Sequence, residues 1–125
     1  MGAPSHLDHA LIAPSLIMQM AVIQGMHMAK RAGLDLEFYS KMISGLPASL
    51  KADQERHTRA IIDGDFSQVQ ASIRTWKEAL DRILEEDKGL NFNAEVLSGI
   101  AEVLRDAQDH GVGEEDLAAL IKTMG

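Results

Sequence analysis

Between Asp8 and Lys30 the chain runs for twenty-one positions without an Asp, Glu, Lys or Arg, although 25% of all its residues are charged. As an α-helix this stretch would extend roughly 32 Å at about 1.5 Å per residue. A run of this kind predicts burial, either in a bilayer, which needs about 20 apolar residues, or inside protein. Pro14, Ser15, Gln19, Gln24 and His27 interrupt it, and no Lys- or Arg-rich flank marks its start as a signal or anchor would. The pattern therefore favours a central helix surrounded by protein. Ala21, Gly25 and Ala29, spaced at i, i+4 and i+8, form a smooth ridge that a second backbone could approach closely. The plainer alternative is a helix with some Ala and one tolerated Gly.

The rest of the pattern is helical as well. Ser5 with Asp8 three residues on resembles a capping box. Pro14 is expected to kink or restart the first helix, and Gly33 to stop it. A short second helix is predicted over Leu36 to Ser44, capped by Asp35 and ended by Gly45. Pro47 suits the first turn of a third helix that runs to Asp63, with Gly64 as its stop. Asp65 is expected to cap a fourth helix whose apolar stripe is Val69, Ile73, Trp76, Leu80, Ile83 and Leu84. A fifth, about Asn93 to His110, carries Val96, Leu97, Ile100, Val103, Leu104 and Ala107, and Gly111 ends it. A last helix begins near Gly113, with Glu114, Glu115 and Asp116 in its first turn where negative charge favours the dipole. Its Leu117, Leu120, Ile121 and Met124 are expected to face inward.

No window alternates apolar and polar residues long enough for a strand, so the fold class is all-α. The expected architecture is a long central N-terminal helix with about five shorter helices packed around it. A chain of 125 residues makes one domain. Its formal charge of -7 opposes binding to nucleic acid or to an acidic membrane surface. The absence of Cys removes disulfides, thiolate nucleophiles and Cys-ligated zinc, and agrees with a cytoplasmic location. The seven Met residues point to an adaptable interior or interface.

Candidate chemistry is sparse. His6 and His9 could share a helix face but lack a third ligand and the i, i+4 spacing of H-E-x-x-H, so no metal is expected. His57 reads as a packed residue with one satisfied nitrogen, His27 as an interface residue and His110 as a helix C-terminal one. There is no G-x-G-x-x-G after a strand and no G-x-x-x-x-G-K, hence no cofactor site in this chain. Asp8 remains. On a helix it would look along Ile12, Ser15, Leu16 and Gln19, an apolar setting that suits a carboxylate to proton donation. Equally, an Asp near a helix start can be a cap or a dipole partner.

Several local features together resemble one family. Leu7-Asp8 precedes the long uncharged helix and Ala32-Gly33-Leu34 follows it. Asp63-Gly64-Asp65-Phe66 precedes the fourth helix, and the chain closes on Gly111-Val112-Gly113-Glu114-Glu115-Asp116-Leu117-Ala118-Ala119-Leu120. This order is similar to the C-terminal helical domain of NADPH-dependent imine reductases and reductive aminases, relatives of the β-hydroxyacid dehydrogenases. The resemblance implies an intertwined two-fold homodimer through the first helix, with each active site formed by one chain's helical domain and the other's N-terminal Rossmann domain. It implies NADPH as cofactor, a small-molecule imine as substrate, Asp8 as proton donor, and Leu16, Met20 and Trp76 on the substrate side. A Tyr common in the family falls here at Leu16, and the Lys of the β-hydroxyacid dehydrogenases is missing, which argues against alcohol oxidation by their route. The Rossmann half is not in the sequence, so the isolated chain is expected to be inactive. The alternative is a non-catalytic all-α dimeric structural or interaction module.

Overall fold

The structure is a computed structural model that describes residues Gly2–Gly125, with side chains from Ser5 onward. Its order is α1 (Gly2–Arg31), α2 (Leu36–Ser44), α3 (Leu46–Asp63), α4 (Ile73–Glu86), a 3₁₀ turn at Lys88–Leu90, α5 (Glu95–Asp109) and a C-terminal 3₁₀ helix at Leu117–Thr123. The described residues contain no strand, only an isolated antiparallel bridge between Ser72 and Asp116. The fold is all-α, as the periodicity requires. It divides into two compact units, residues 1–46 and 47–125.

The first unit is a helix pair. α1 continues through Pro14 without a restart and already includes Gly2, so Ser5 is inside the helix and is not its cap. Gly33, at φ +73°, ends it, and the Leu34 N–H closes the end by donating to the Ala29 carbonyl at 3.0 Å. A side chain would be strained at that φ, which is why the stop is a glycine. Asp35 caps α2 as expected, its carboxylate accepting from the Phe38 N–H at 3.1 Å.

α2 packs on the small-residue ridge of α1. A Cβ placed on Gly25 would fall 2.3 Å from the Tyr39 hydroxyl and 3.5 Å from Ile43 Cδ1. At Gly25 the ridge therefore receives α2 of the same chain, an approach close enough to require glycine there, while Ala21 remains exposed. Elsewhere α1 is barely covered. Gln24 and Ala29 are buried, while Leu7, Leu11, Ile12, Leu16, Ile17 and Ile23 all stand exposed. The burial predicted for the uncharged stretch is thus not supplied within a single chain.

The second unit has a core of its own, made of Phe66, Ile73, Leu80, Leu104, Ala107, Ala118 and Ala119. α4 begins later than the sequence suggests, because Ser72 and not Asp65 is its cap. The Ser72 hydroxyl accepts from the Thr75 N–H at 3.1 Å. Asp65 instead engages Ser67 at the surface, accepting from its N–H at 3.0 Å and its hydroxyl at 2.6 Å. Val69 is consequently in the connection and exposed, not on the α4 stripe.

The closing motif is a junction, not the first turn of an α-helix. Gly111, at φ +85°, ends α5. The carbonyls of Gly113 and Glu115 then accept from the first amides of α4, Arg74 at 2.8 Å and Ile73 at 3.0 Å. Those amides would otherwise be orphaned at the helix start. Glu114 pairs with Arg74 at 2.7 Å and Glu115 with Lys122 at 2.6 Å. Asp116 caps the 3₁₀ helix through the Ala118 N–H at 3.1 Å. Within that short helix Ala118 and Ala119 are the buried residues, whereas Ile121 and Met124, expected inside, are exposed.

Candidate functional site

Asp8, Leu16 and Met20 all lie on α1 in the first unit. Asp8 is exposed and sits past the first helical turn, so the N-cap reading does not apply to it. Leu16 is 67% and Met20 36% exposed, and the residues between and beside them, Ile12 and Ile17, are equally open. The result is a carboxylate at one end of a long apolar surface. Chemically this arrangement offers one acid group, flanked in sequence by His6 and His9, and an extensive contact face.

Trp76 lies in the second unit, on α4, and is 49% exposed. Together with Leu80, Ile83, Leu97, Ile100 and Leu120 it lines an open groove of about 280 Å³ between α4, α5 and the 3₁₀ helix. α4 and α5 each bury one edge of their apolar stripe, Ile73 with Leu80 and Leu104 with Ala107. The other edge remains as the groove wall. Trp76 and Leu117 also line a second, smaller cavity of about 60 Å³, whose other residues include Asp53, Arg56, His57 and Gln70.

Of this polar end the sequence singled out His57 alone, and as a packed residue. Asp53, Arg56 and His57 fall at i, i+3 and i+4 on α3, one face of a helix. Arg56 Nη1 donates to Asp53 Oδ1 at 2.7 Å. His57 is half-buried, and its Nδ1 is a nitrogen without a hydrogen-bond partner. Its Nδ1 lies 3.4 Å from Asp116 Oδ2, an ion-pair distance, yet makes no hydrogen bond of good geometry. The spacing of Asp53, Arg56 and His57 was visible in the sequence, but nothing there connects them to Asp116.

No group of three or more His, Asp or Glu side chains that could hold a metal ion occurs among the described residues. A dinucleotide cradle would need a glycine-rich turn between strand and helix, and the described residues hold no strand from which to build one. By length and composition alone α1 could cross a bilayer, with 6% of the window concerned buried within the chain.

Comparison with known proteins agrees with this architecture. Residues 12–124 match the family described as NAD-binding of NADP-dependent 3-hydroxyisobutyrate dehydrogenase. Curated protein sequences give no match. Among solved structures, an imine reductase from Myxococcus stipitatus in complex with NADP+ is similar over 99% of this chain and 46% of its own, with a TM-score of 0.93 at 20% identity. An imine reductase from Pseudomonas sp. is similar over 98% of this chain and 42% of its own, with a TM-score of 0.87 at 24% identity. A reductive aminase from Aspergillus terreus in complex with NADPH and ethyl levulinate is similar over 99% of this chain and 44% of its own, with a TM-score of 0.89 at 17% identity. The chain thus spans less than half the length of the structures it matches, and at these identities the likeness is one of fold.

Proposed function

The chain belongs to the family of the NAD-binding of NADP-dependent 3-hydroxyisobutyrate dehydrogenase, and from that premise we propose that it is the dimerising, substrate-side helical domain of a cytoplasmic, NADPH-dependent oxidoreductase that reduces C=N bonds. In this reading a Rossmann portion outside this sequence holds the NADPH, which supplies the hydride. The chain's own part is to place a proton and an apolar wall. Asp8, in its protonated form, gives its proton to the imine nitrogen and is left as the carboxylate. Leu16 and Met20 on α1, and Trp76 on α4, present apolar surface to the substrate. By itself the domain has no source of hydride and is inactive.

The observation that carries this reading is the whole-chain likeness in fold to imine reductases and reductive aminases, with Asp8 standing clear of any capping role on the long helix. The test is to join the chain to a Rossmann domain of the same family and follow NADPH oxidation with a cyclic imine. Asp8→Asn is expected to lower turnover by about 10²-fold or more, the usual contribution of a positioned general acid. Undiminished activity in that variant would remove Asp8 from the mechanism.

A second reading, a non-catalytic all-α dimeric module, is favoured by one observation. The exposed apolar length of α1 asks for a protein partner whether or not any reaction occurs. A fused enzyme that dimerises fully and shows no imine-dependent NADPH oxidation would select it.

A further inference from the structure

Behind His57, one of the residues lining the smaller cavity beside Trp76, lies an enclosed carboxylate. Asp116 is 2% exposed. Its Oδ2 accepts from the Ala118 N–H, its own N–H donates to the Phe66 carbonyl at 3.3 Å, and its Oδ1 has no hydrogen-bond partner. A carboxylate so enclosed calls for a compensating donor. Lys122 pairs with Glu115, and Arg74 with both Glu114 and Glu78; Arg56 pairs with Asp53 through Nη1, while its buried Nε has no hydrogen-bond partner. What faces Asp116 is His57, whose Nδ1 is 3.4 Å from Oδ2 and is also without a hydrogen-bond partner.

An N–H on Nδ1 directed at Asp116 answers both needs at once. It also fixes the tautomer, because a neutral imidazole that donates from one nitrogen carries its lone pair on the other. His57 Nε2 is then a hydrogen-bond acceptor. His57 lines the cavity of about 60 Å³ together with Trp76 and Leu117, and those same two residues line the apolar groove of about 280 Å³. The small cavity thus offers an acceptor at His57 beside the polar side chains of Asp53, Arg56 and Gln70, and it shares two lining residues with a groove lined by apolar side chains.

We propose that His57, oriented by Asp116, is a ligand-contacting residue that makes the Trp76 cleft a site for a small molecule with an apolar body and a hydroxyl or N–H donor at one end. This rests on the reading of Trp76 as a substrate-side residue and adds to it a polar determinant that Asp8, on the other unit, does not provide. Asp116 touches no ligand and acts as a positioning residue.

Two measurements on the intact chain test it. Long-range proton–nitrogen NMR at pH 8 is expected to find His57 as the Nδ1–H tautomer, with no variant needed. Trp76 is the chain's one tryptophan, so its fluorescence reports the cleft directly. Titration with cyclohexanol is expected to saturate at roughly tenfold lower concentration than with cyclohexyl methyl ether, the factor that about 1.4 kcal/mol of hydrogen bonding produces. His57→Phe should abolish that preference while the ether response persists. An Nε2–H tautomer in the native chain, equal affinity for the two probes, or a preference retained in His57→Phe would overturn the role of His57 and leave the Trp76 reading standing. No saturable response to either probe would overturn both.

Discussion

The two units of this chain treat their apolar residues in opposite ways. In the second, Ile73 and Ala107 are fully enclosed and the core joins α4, α5 and the 3₁₀ helix. In the first, α1 carries a longer run of apolar residues than any other element, yet Gln24 and Ala29 are its buried positions among the described side chains. Apolar surface is a poor neighbour for water at about 25 cal/mol per Å². The difference therefore separates a unit that buries a core of its own from one that leaves most of its apolar surface exposed within the chain. A second copy is the occupant that the family reading proposes for the exposed face of α1.

The comparison breaks most visibly at Ile73. Ile73→Ala should destabilise the second unit by about 2–5 kcal/mol through the cavity it leaves, measurable as a lower urea midpoint. Leu16→Ala, an exposed position, should leave the stability of a dilute monomer within about 0.5 kcal/mol. If α1 is covered by a second copy, Leu16→Ala should instead weaken the dimer, by roughly tenfold or more for a buried Leu. Gly25→Leu sharpens the contrast from inside the first unit. Its side chain would meet the Tyr39 hydroxyl, so overpacking is expected to cost about 1–3 kcal/mol. A helix-selective probe such as amide exchange in α2 would register the loss, and Tyr39→Ala in the same chain should relieve part of it.

Smaller effects come from helix ends. Ser72→Ala should cost about 1 kcal/mol by removing the α4 cap, whereas Asp65→Ala should not have that effect on α4. At the end of α5, the His110 ring nitrogen lies 2.7 Å from the Asp106 carbonyl and 3.6 Å from the Asp106 carboxylate. The hydrogen bond to that carbonyl, then the carboxylate charge, raise the ring above its ordinary value of 6.5. A group with a raised folded value contributes its stability in full below the unfolded value and loses it as pH rises through the folded one. The site is solvent-exposed, so the effect is small. Melting curves of the native chain and His110→Gln should therefore differ slightly near pH 5.5 and converge above pH 8.

Much of the fold could be read from residues whose role is local. Gly33, Gly64 and Gly111 stop their helices where expected, Asp35 caps α2, and the stripe of α4 is present from Ile73 onward. Local reasoning failed where two residues competed for one role. Asp65 and Ser72 are both good caps, and Ser67, two residues past Asp65, takes up its carboxylate and leaves the helix to Ser72. The closing motif misled in the same way, since Glu114 and Glu115 serve Arg74 and Lys122 and not a helix dipole. The Tyr39 contact on Gly25 and the approach of His57 to Asp116 depend on tertiary placement, which no spacing in the sequence encodes. Asp8, Leu16, Met20 and Trp76 could be named from the family resemblance, and the structure adds that each is open to contact.

Sedimentation velocity of the intact chain at micromolar concentration tests most directly whether α1 is covered by a second copy. The account predicts a species of twice the 13.6 kDa chain mass that Leu16→Ala shifts toward monomer. A well-folded monomer persisting at those concentrations, with α1 amides slow to exchange, would contradict it.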